Sequence, residues 1–431
     1  MTDDNSTPEP ERRPKPESEG RPDAGQTLID ELNKTMDGGV LQTSLRSALY
    51  PILAVFTGLV IGGIFIALTT EEVYAAFGES FVAGLGEAWR TIIVSYRALF
   101  VGAIGNPAEI AAAIGSGDGE QFQKAIDPFL ESLVTATPLI FAGLGVALGF
   151  RTGLFNIGAE GQLFIGATTA TWVGYSFTGL PAIIHIPLAL LAGFIGGGIW
   201  GYIPGWLKAK TGGHEVINTI MMNFVAIRLL EWLLRTSMKD PESQNPISPF
   251  IAESAFLPSL SFSRFHIGFF IALIFGWITW WYLFRTKWGF TLRTVGTNPN
   301  AARYAGMNIV RATVTAMFLS GGLAGLAGAN EILGVNHRLV ASFTAGIGFD
   351  SIALALLGKN HPVGVVLAAI LFGTLRNGAT QMQLDAGIPI DIIAIVQALV
   401  LAFIAAPAIV RTIYRLRDTG DDGQLVTNSW G

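Results

Sequence analysis

Apolar residues fill most of this chain in blocks of about twenty, separated by short polar segments, which is the pattern of helices that cross a hydrocarbon layer. Pro51–Thr70, Ser132–Phe150, Phe265–Phe284 and Ala312–Asn330 are free of charged side chains and predict four spans. The uncharged stretch Gly161–Leu207 predicts two more, joined near Gly179-Leu180-Pro181, with the first beginning near Leu154, and Val216–Leu234 adds another. Ile388–Val410 reads as a last span interrupted by Asp391. Gly346–Gly358 and Val363–Leu375 are apolar but short, so they predict thin spans or a re-entrant pair buried in protein. Phe81–Ile104 is apolar but carries Glu87, Arg90 and Arg97, and reads as an interfacial helix outside the membrane.

Lys and Arg set the orientation. Lys208 and Lys210, then Arg285, Lys287, Arg293 and Arg303, and finally Arg411, Arg415 and Arg417 each follow a span, whereas the loops at 71–127 and 239–264 are acidic or mixed. Placing the basic loops in the cytoplasm predicts about ten crossings with both termini inside. The expected class is an all-α integral membrane protein. Its expected organisation is a disordered cytoplasmic tail at 1–45, a transmembrane body at 46–415 and a short cytoplasmic tail at 416–431, with an extracellular or interfacial insertion at 70–127 and a cytoplasmic loop at 285–311.

Composition sharpens this reading. Of 431 residues 51% are hydrophobic and only 14% charged, which excludes a single soluble domain. The absence of cysteine removes disulfides, thiolate metal sites, iron–sulfur clusters and cysteine nucleophiles. The net charge of −5 belongs mainly to residues 1–50, where ten acids face six bases, so the body offers no basic face for nucleic acid. That charged start does not resemble a signal peptide, and the patterns at Asn5 and Asn33 are discarded as glycosylation sites because the tail is placed in the cytoplasm.

Polar groups at membrane depth are expensive and so mark candidate sites. Gly153–Gln162 places Asn156, Glu160 and Gln162 among three glycines. Asn156 and Glu160 share a helical face, and all three converge only if the helix breaks at Gly158 or Gly161. The competing reading pairs Glu160 with a base such as Arg151 and uses the amides to join helices. Asn218 and Asn223 follow Glu215, whose position at a helix start suits an interfacial cap. Asn360 lies in the Gly358–Pro362 turn between the two short segments, and Arg376-Asn377 is read as ending the second. Gly358-Lys359 lacks the upstream glycine and the hydroxyl of a phosphate-binding loop, the five histidines show no metal-ligand spacing, and no nucleophile–histidine–acid set presents itself.

The basic loop after Phe284 carries a further signal. Asn298 suits a helix N-cap, Pro299 the first helical position and Gly306 the stop, which predicts a very short helix displaying Asn300, Arg303 and Tyr304 as a docking knob for another protein.

The segments TPLIFAGLGVALGFRTGLFNIGAEGQLFIGA (137–167), GGHEVINTIMMNFVA (212–226), GTNPNAARYAGMNIVRATVTAMFLSGGLAGLAG (296–328) and IALALLGKNHPVGVVLAAILFGTLRNGA (352–379) resemble the permease subunits of ABC importers for nucleosides and simple sugars, relatives of branched-chain amino acid permeases. The resemblance covers most of 125–410 and is closest to the nucleoside branch. It implies a ten-helix, vitamin B12-importer-like (type II) permease with broken or re-entrant helices. It further implies a second and different permease in the plasma membrane, a separate ATP-binding subunit that holds ATP and magnesium, and an extracellular substrate-binding lipoprotein. No cofactor or metal is expected on this chain. The family's coupling helix maps onto Asn298, Pro299, Asn300, Ala302, Arg303, Tyr304 and Gly306, and the substrate-pathway candidates are Asn156, Glu160, Gln162, Asn218 and Asn360. The expected mechanism is alternating access, with amides and an aromatic ring suiting an uncharged nucleoside. Rival readings are a permease for simple sugars such as ribose or for branched-chain amino acids, an ion-coupled secondary transporter, for which paired intramembrane acids are wanting, and a membrane enzyme, for which a catalytic constellation is wanting.

Overall fold

The computed structural model describes residues 39–260 and 263–415. The expected tails therefore fall largely outside the described residues, as do Asn5 and Asn33, although Gly39 already belongs to a helix. Two compact units divide the chain: Met1–Leu53, whose described part is the first half of one helix, and Ala54–Gly431, which holds every other element.

The elements in order are α1 (Gly39–Thr69), α2 (Glu71–Glu79), α3 (Phe81–Ile104), α4 (Pro107–Ser116), α5 (Gly119–Arg151), α6 (Ala159–Ser176), α7 (Ala182–Thr211), α8 (Glu215–Arg235), α9 (Gly268–Arg285), α10 (Lys287–Thr297), α11 (Pro299–Tyr304), α12 (Ile309–Glu331), α13 (Ile347–Leu357), α14 (Pro362–Ala386), α15 (Ile390–Ala405) and α16 (Pro407–Tyr414). Among the described residues there is no strand, only isolated bridges from Ile247 to Val340 and from Ser259 to His266. Eight stretches are long and apolar enough to cross a membrane: Ile52–Thr69, Phe81–Ser116, α5, α7, α8, α9, Ile309–Asn336 and α14.

Three elements differ from the sequence reading. Phe81–Ile104, read as interfacial, is one continuous helix that with α4 is long and apolar enough to cross a membrane; Glu87 and Arg90 pair at 2.6 Å and its far half packs on α14. A Cβ on Gly378 would strike the Leu99 carbonyl, and Asn377 donates to the carbonyls of Gly102 (3.0 Å) and Pro128 (2.9 Å). The second of the two short apolar segments runs on through Arg376-Asn377 to Ala386, so only α13 is short. The last predicted span breaks at Ala406, where Pro407 withholds the N–H that would continue the helix.

Helix α12 is the centre of the bundle, contacted by α5, α6 and α7. Its run Ser320–Asn330 is almost entirely small residues, and every one of them is buried. Gly321 and Gly325 lie on the backbone of Gly193, Gly197 and Gly201 in α7, Gly325 also meets Gly166 of α6, and Gly328 meets the Leu163 carbonyl. Among lipid chains, which are as apolar as the helices, such close backbone approach is what makes helix association favourable. Gly325→Val, inserted where only backbone surrounds it, is expected to cost at least about 3 kcal/mol and abolish the monodisperse folded peak on size-exclusion chromatography. Gly115→Ala, which has open space around it, should leave that peak unchanged.

The connection from α8 to α9 is irregular but ordered. Ser248 N donates to the Leu339 carbonyl (3.0 Å), Ile251 N to the His337 carbonyl (3.0 Å) and Leu257 N to the Leu333 carbonyl (2.8 Å), which fastens the connection to the π-helical turn Ile332–Asn336 after α12. His266 is buried beneath it, with Nδ1 accepting from Gly268 N (3.1 Å). Burial holds this imidazole neutral, with its pKa pushed down to about 4. Because the folded value lies below the unfolded one, the contribution to stability is complete above about pH 6.5 and is lost as pH falls from there towards 4. The melting temperature should drop across that window, and His266→Gln should flatten the drop.

Candidate functional site

Helix α5 ends in a Schellman turn: Gly153, at φ +71°, donates from its N–H to the Phe150 carbonyl (3.1 Å), and Leu154 N donates to the Gly149 carbonyl (3.0 Å). The chain then runs without helical bonding to Gly158, and α6 begins at Ala159. This is the expected break, and it draws two of the three candidates together. Asn156 Nδ2 donates to Gln162 Oε1 and to Ser320 Oγ (both 2.8 Å), while Asn156 Oδ1 accepts from Gly158 N (2.9 Å) and Gln162 Nε2 (3.1 Å). Ser320 Oγ in turn donates to the Gly145 carbonyl at 2.6 Å. On the other side Asn223 of α8 accepts from Gly161 N (2.8 Å) and donates to the Ile157 carbonyl (2.9 Å). Asn223 and Ser320 complete the network. Asn218, five residues earlier on α8, is half-exposed and takes no part in it.

Glu160 does not join this group. Its carboxylate is buried against α13, accepting from the Thr344 hydroxyl and from Gly348 N at 2.7 Å. An acid at the start of a helix is favoured by the exposed N–H groups and the helix dipole. A Cβ on Gly348 would overlap the Glu160 backbone, so only glycine admits this approach. The alternative pairing with Arg151 does not form. Arg151 Nε instead donates to the Asn360 carbonyl at 2.9 Å, and its guanidinium shares the Phe284 ring with that of Arg293. Asn360 therefore sits at the α13–α14 turn, with φ +53°, and makes no hydrogen bond to the Asn156 network. Burial and the neighbouring Arg151 hold His361, in the same turn, below the usual histidine range.

The loop knob forms as its residues predict. Asn298 Oδ1 accepts from Ala301 N (3.0 Å), Pro299 opens α11, and Gly306 (φ +75°) ends it with a second Schellman pair, Gly306 N to the Arg303 carbonyl and Met307 N to the Ala302 carbonyl (both 3.0 Å). Ala302 is fully buried and anchors the turn, whereas Asn300 and Arg303 are exposed and Tyr304 is 99% exposed. The sequence missed α10, capped by Thr286 (Gly289 N to Oγ1, 3.0 Å), which carries Gly296 onto the α5–α6 break. A Cβ on Gly296 would lie 2.7 Å from the Thr152 carbonyl carbon. At the neighbouring helix start, Glu215 pairs with Lys208 of α7 at 2.7 Å.

A further charged pair escaped the sequence reading. Arg376, inside α14, meets Asp350 of α13 at 3.3 Å and donates to the Ala345 carbonyl at 2.8 Å. Pro362 at the N1 position was the signal that α14 starts there and carries Arg376 well inside the helix. No group of three metal-ligating side chains occurs among the described residues.

Removing the Glu160 carboxylate strands the Thr344 hydroxyl and the Gly348 N–H at about 1–3 kcal/mol each. Glu160→Ala should therefore lower the melting temperature by several degrees, with Glu160→Gln, which keeps one acceptor, falling between the two.

Residues 129–408 match the family described as branched-chain amino acid transport system / permease component. The chain is 44% identical over 292 residues to the guanosine ABC transporter permease NupP of Bacillus subtilis, a match that covers 66% of this chain and 82% of that protein. It is 32% identical over 383 residues to the nucleoside ABC transporter permease NupB of Lactococcus lactis (86% and 94% covered), and 39% identical over 285 residues to a glucose ABC transporter permease of Haloferax volcanii (64% and 75% covered). No solved structure matches. With the family profile matching well over half its length, this chain belongs to the branched-chain amino acid transport system / permease component family of ABC permeases.

Proposed function

We propose that the chain is the membrane-spanning subunit of an ABC importer for nucleosides, and that it couples to a separate ATP-binding subunit through α11. The observation that carries the reading is the 44% identity to a guanosine permease, joined by the 32% identity that extends over 86% of this chain to a second nucleoside permease. The knob supports the coupling half of the reading: a six-residue helix capped at both ends, anchored by Ala302 and otherwise exposed, has the rigidity a docking element needs. We count α6 and α15 as crossings beside the eight long apolar stretches, ten in all as in a type II permease, with α13 as a half-helix. In this reading the 285–311 loop faces the cytoplasm of a plasma membrane, ATP and magnesium stay on the partner, a second permease completes the passage, and an extracellular lipoprotein delivers the substrate.

The 39% identity to a glucose permease favours simple sugars as the second reading. Uptake of labelled guanosine, adenosine and ribose by vesicles containing the whole complex separates the two. Nucleoside uptake that requires ATP, and that Arg303→Glu reduces at least tenfold while the complex still purifies intact, is the expected result. ATP-driven ribose uptake without nucleoside uptake supports the sugar reading, and uptake driven by an ion gradient without ATP refutes both.

A further inference from the structure

A charged side chain in a membrane helix has to face water, protein or an opposite charge, because lipid chains can satisfy none of its hydrogen bonds. Arg376 is such a side chain. It stands about 21 Å along α14 from Pro362 and about 15 Å short of Ala386, beyond the reach of a side chain stretching to either end. Its pairing with Asp350 does not bury it: the Arg376 and Asp350 side chains remain 29% and 44% exposed.

The surroundings have the same character. Helix α13 buries Ile347, Gly348, Ser351, Leu354 and Ala355 within the bundle and leaves Phe349 and Leu356 uncovered on its other face, with Ser342 and Ala345 exposed just before it. This face differs in kind from that of α9, where Phe270, Ile274, Trp277 and Trp281 form an exposed stripe at helical spacing with no charge in it, as a lipid-facing surface requires.

Building on the nucleoside reading, we infer that the exposed face of α13, with Phe349, Asp350 and Arg376, is a wall of the aqueous passage and the place where the moving nucleoside is recognised. The chemistry matches an aromatic base joined to a sugar with a vicinal diol. An exposed phenylalanine ring stacks on the base, the carboxylate accepts from the two hydroxyls, and the guanidinium donates to a base carbonyl. At 3.3 Å the ion pair is loose enough for each partner to exchange the other for the ligand. The amides of Asn156 and Gln162, bonded to each other and to Ser320, and that of Asn223, bonded to backbone, then hold the α5–α6 break rather than line the passage.

The natural chain contains no cysteine, so an introduced thiol is unique on it, and the complex of the natural chain gives the background reaction. Ser342→Cys, Phe349→Cys and, as the lipid-facing control, Ile274→Cys are made in the assembled complex, and assembly is checked by co-purification. The complexes are then treated in membranes with a charged, membrane-impermeant methanethiosulfonate. Modification of Ser342→Cys and Phe349→Cys at least tenfold faster than Ile274→Cys is the expected result. Equal, slow modification of all three positions overturns the inference, and the mild Ser342→Cys change keeps the test valid if Phe349→Cys fails to assemble. Slowing of the fast reaction by guanosine, and not by ribose, is expected for the recognition site. Fast reaction slowed by ribose and not by guanosine keeps the wall and refutes the nucleoside reading instead.

Discussion

A chain buried among helices cannot leave its backbone N–H and carbonyl groups unpaired, and the interruption between Arg151 and Ala159 is where this protein meets that constraint most sharply. Asn156 and Asn223 resolve it. Each uses its amide as a short piece of substitute backbone, accepting from Gly158 N and from Gly161 N, while the Asn223 NH2 takes the Ile157 carbonyl. The second amide hydrogen of Asn156 reaches Ser320 at the middle of α12, so the break is tied to the most closely packed helix of the bundle.

Other elements hang from that fixed break. Ending α5 at Gly153 frees α6 to begin with Glu160 directed at α13, whose first turn it caps through Gly348. The same turn of chain receives Gly296, two residues before the Asn298 cap of α11, in a backbone-on-backbone contact that no side chain could occupy. The exposed knob α11 is thus joined, through the Gly296 contact, the α5–α6 break and the Glu160 carboxylate, to α13, whose far face carries Phe349. Rigid pieces connected at few points are what a permease that switches between two arrangements needs, since packed interfaces change by steps rather than by continuous deformation.

Much of this was legible in the residues. Hydrophobic block length placed α5, α7, α8, α9 and α12, and the Asn-Pro and Gly signals placed α11 to the residue, because caps are local chemistry. The break was also readable from its glycines. What the sequence hid were pairings between distant segments. Glu160 and Asn156 share a face on an ideal helix, yet a backbone that breaks at Gly158 sends them to different neighbours. Ser320 and Thr344 could not be named before α12 and the segment ahead of α13 were placed in space. The charges of α3 suggested an interface because their mutual neutralisation by Glu87 and Arg90 is not visible as hydropathy, and Arg376 was taken for a boundary when it lies inside a span.

Hydrogen–deuterium exchange of the amides at Gly158 and Gly161 in lipid nanodiscs tests the central claim directly, because these two N–H groups depend on Asn side chains and not on helical bonding. Slow exchange in the natural protein, accelerated at least a hundredfold at Gly158 by Asn156→Ala and at Gly161 by Asn223→Ala, is the predicted result. Fast exchange at both amides in the natural protein, or slow exchange that neither substitution alters, would contradict the account.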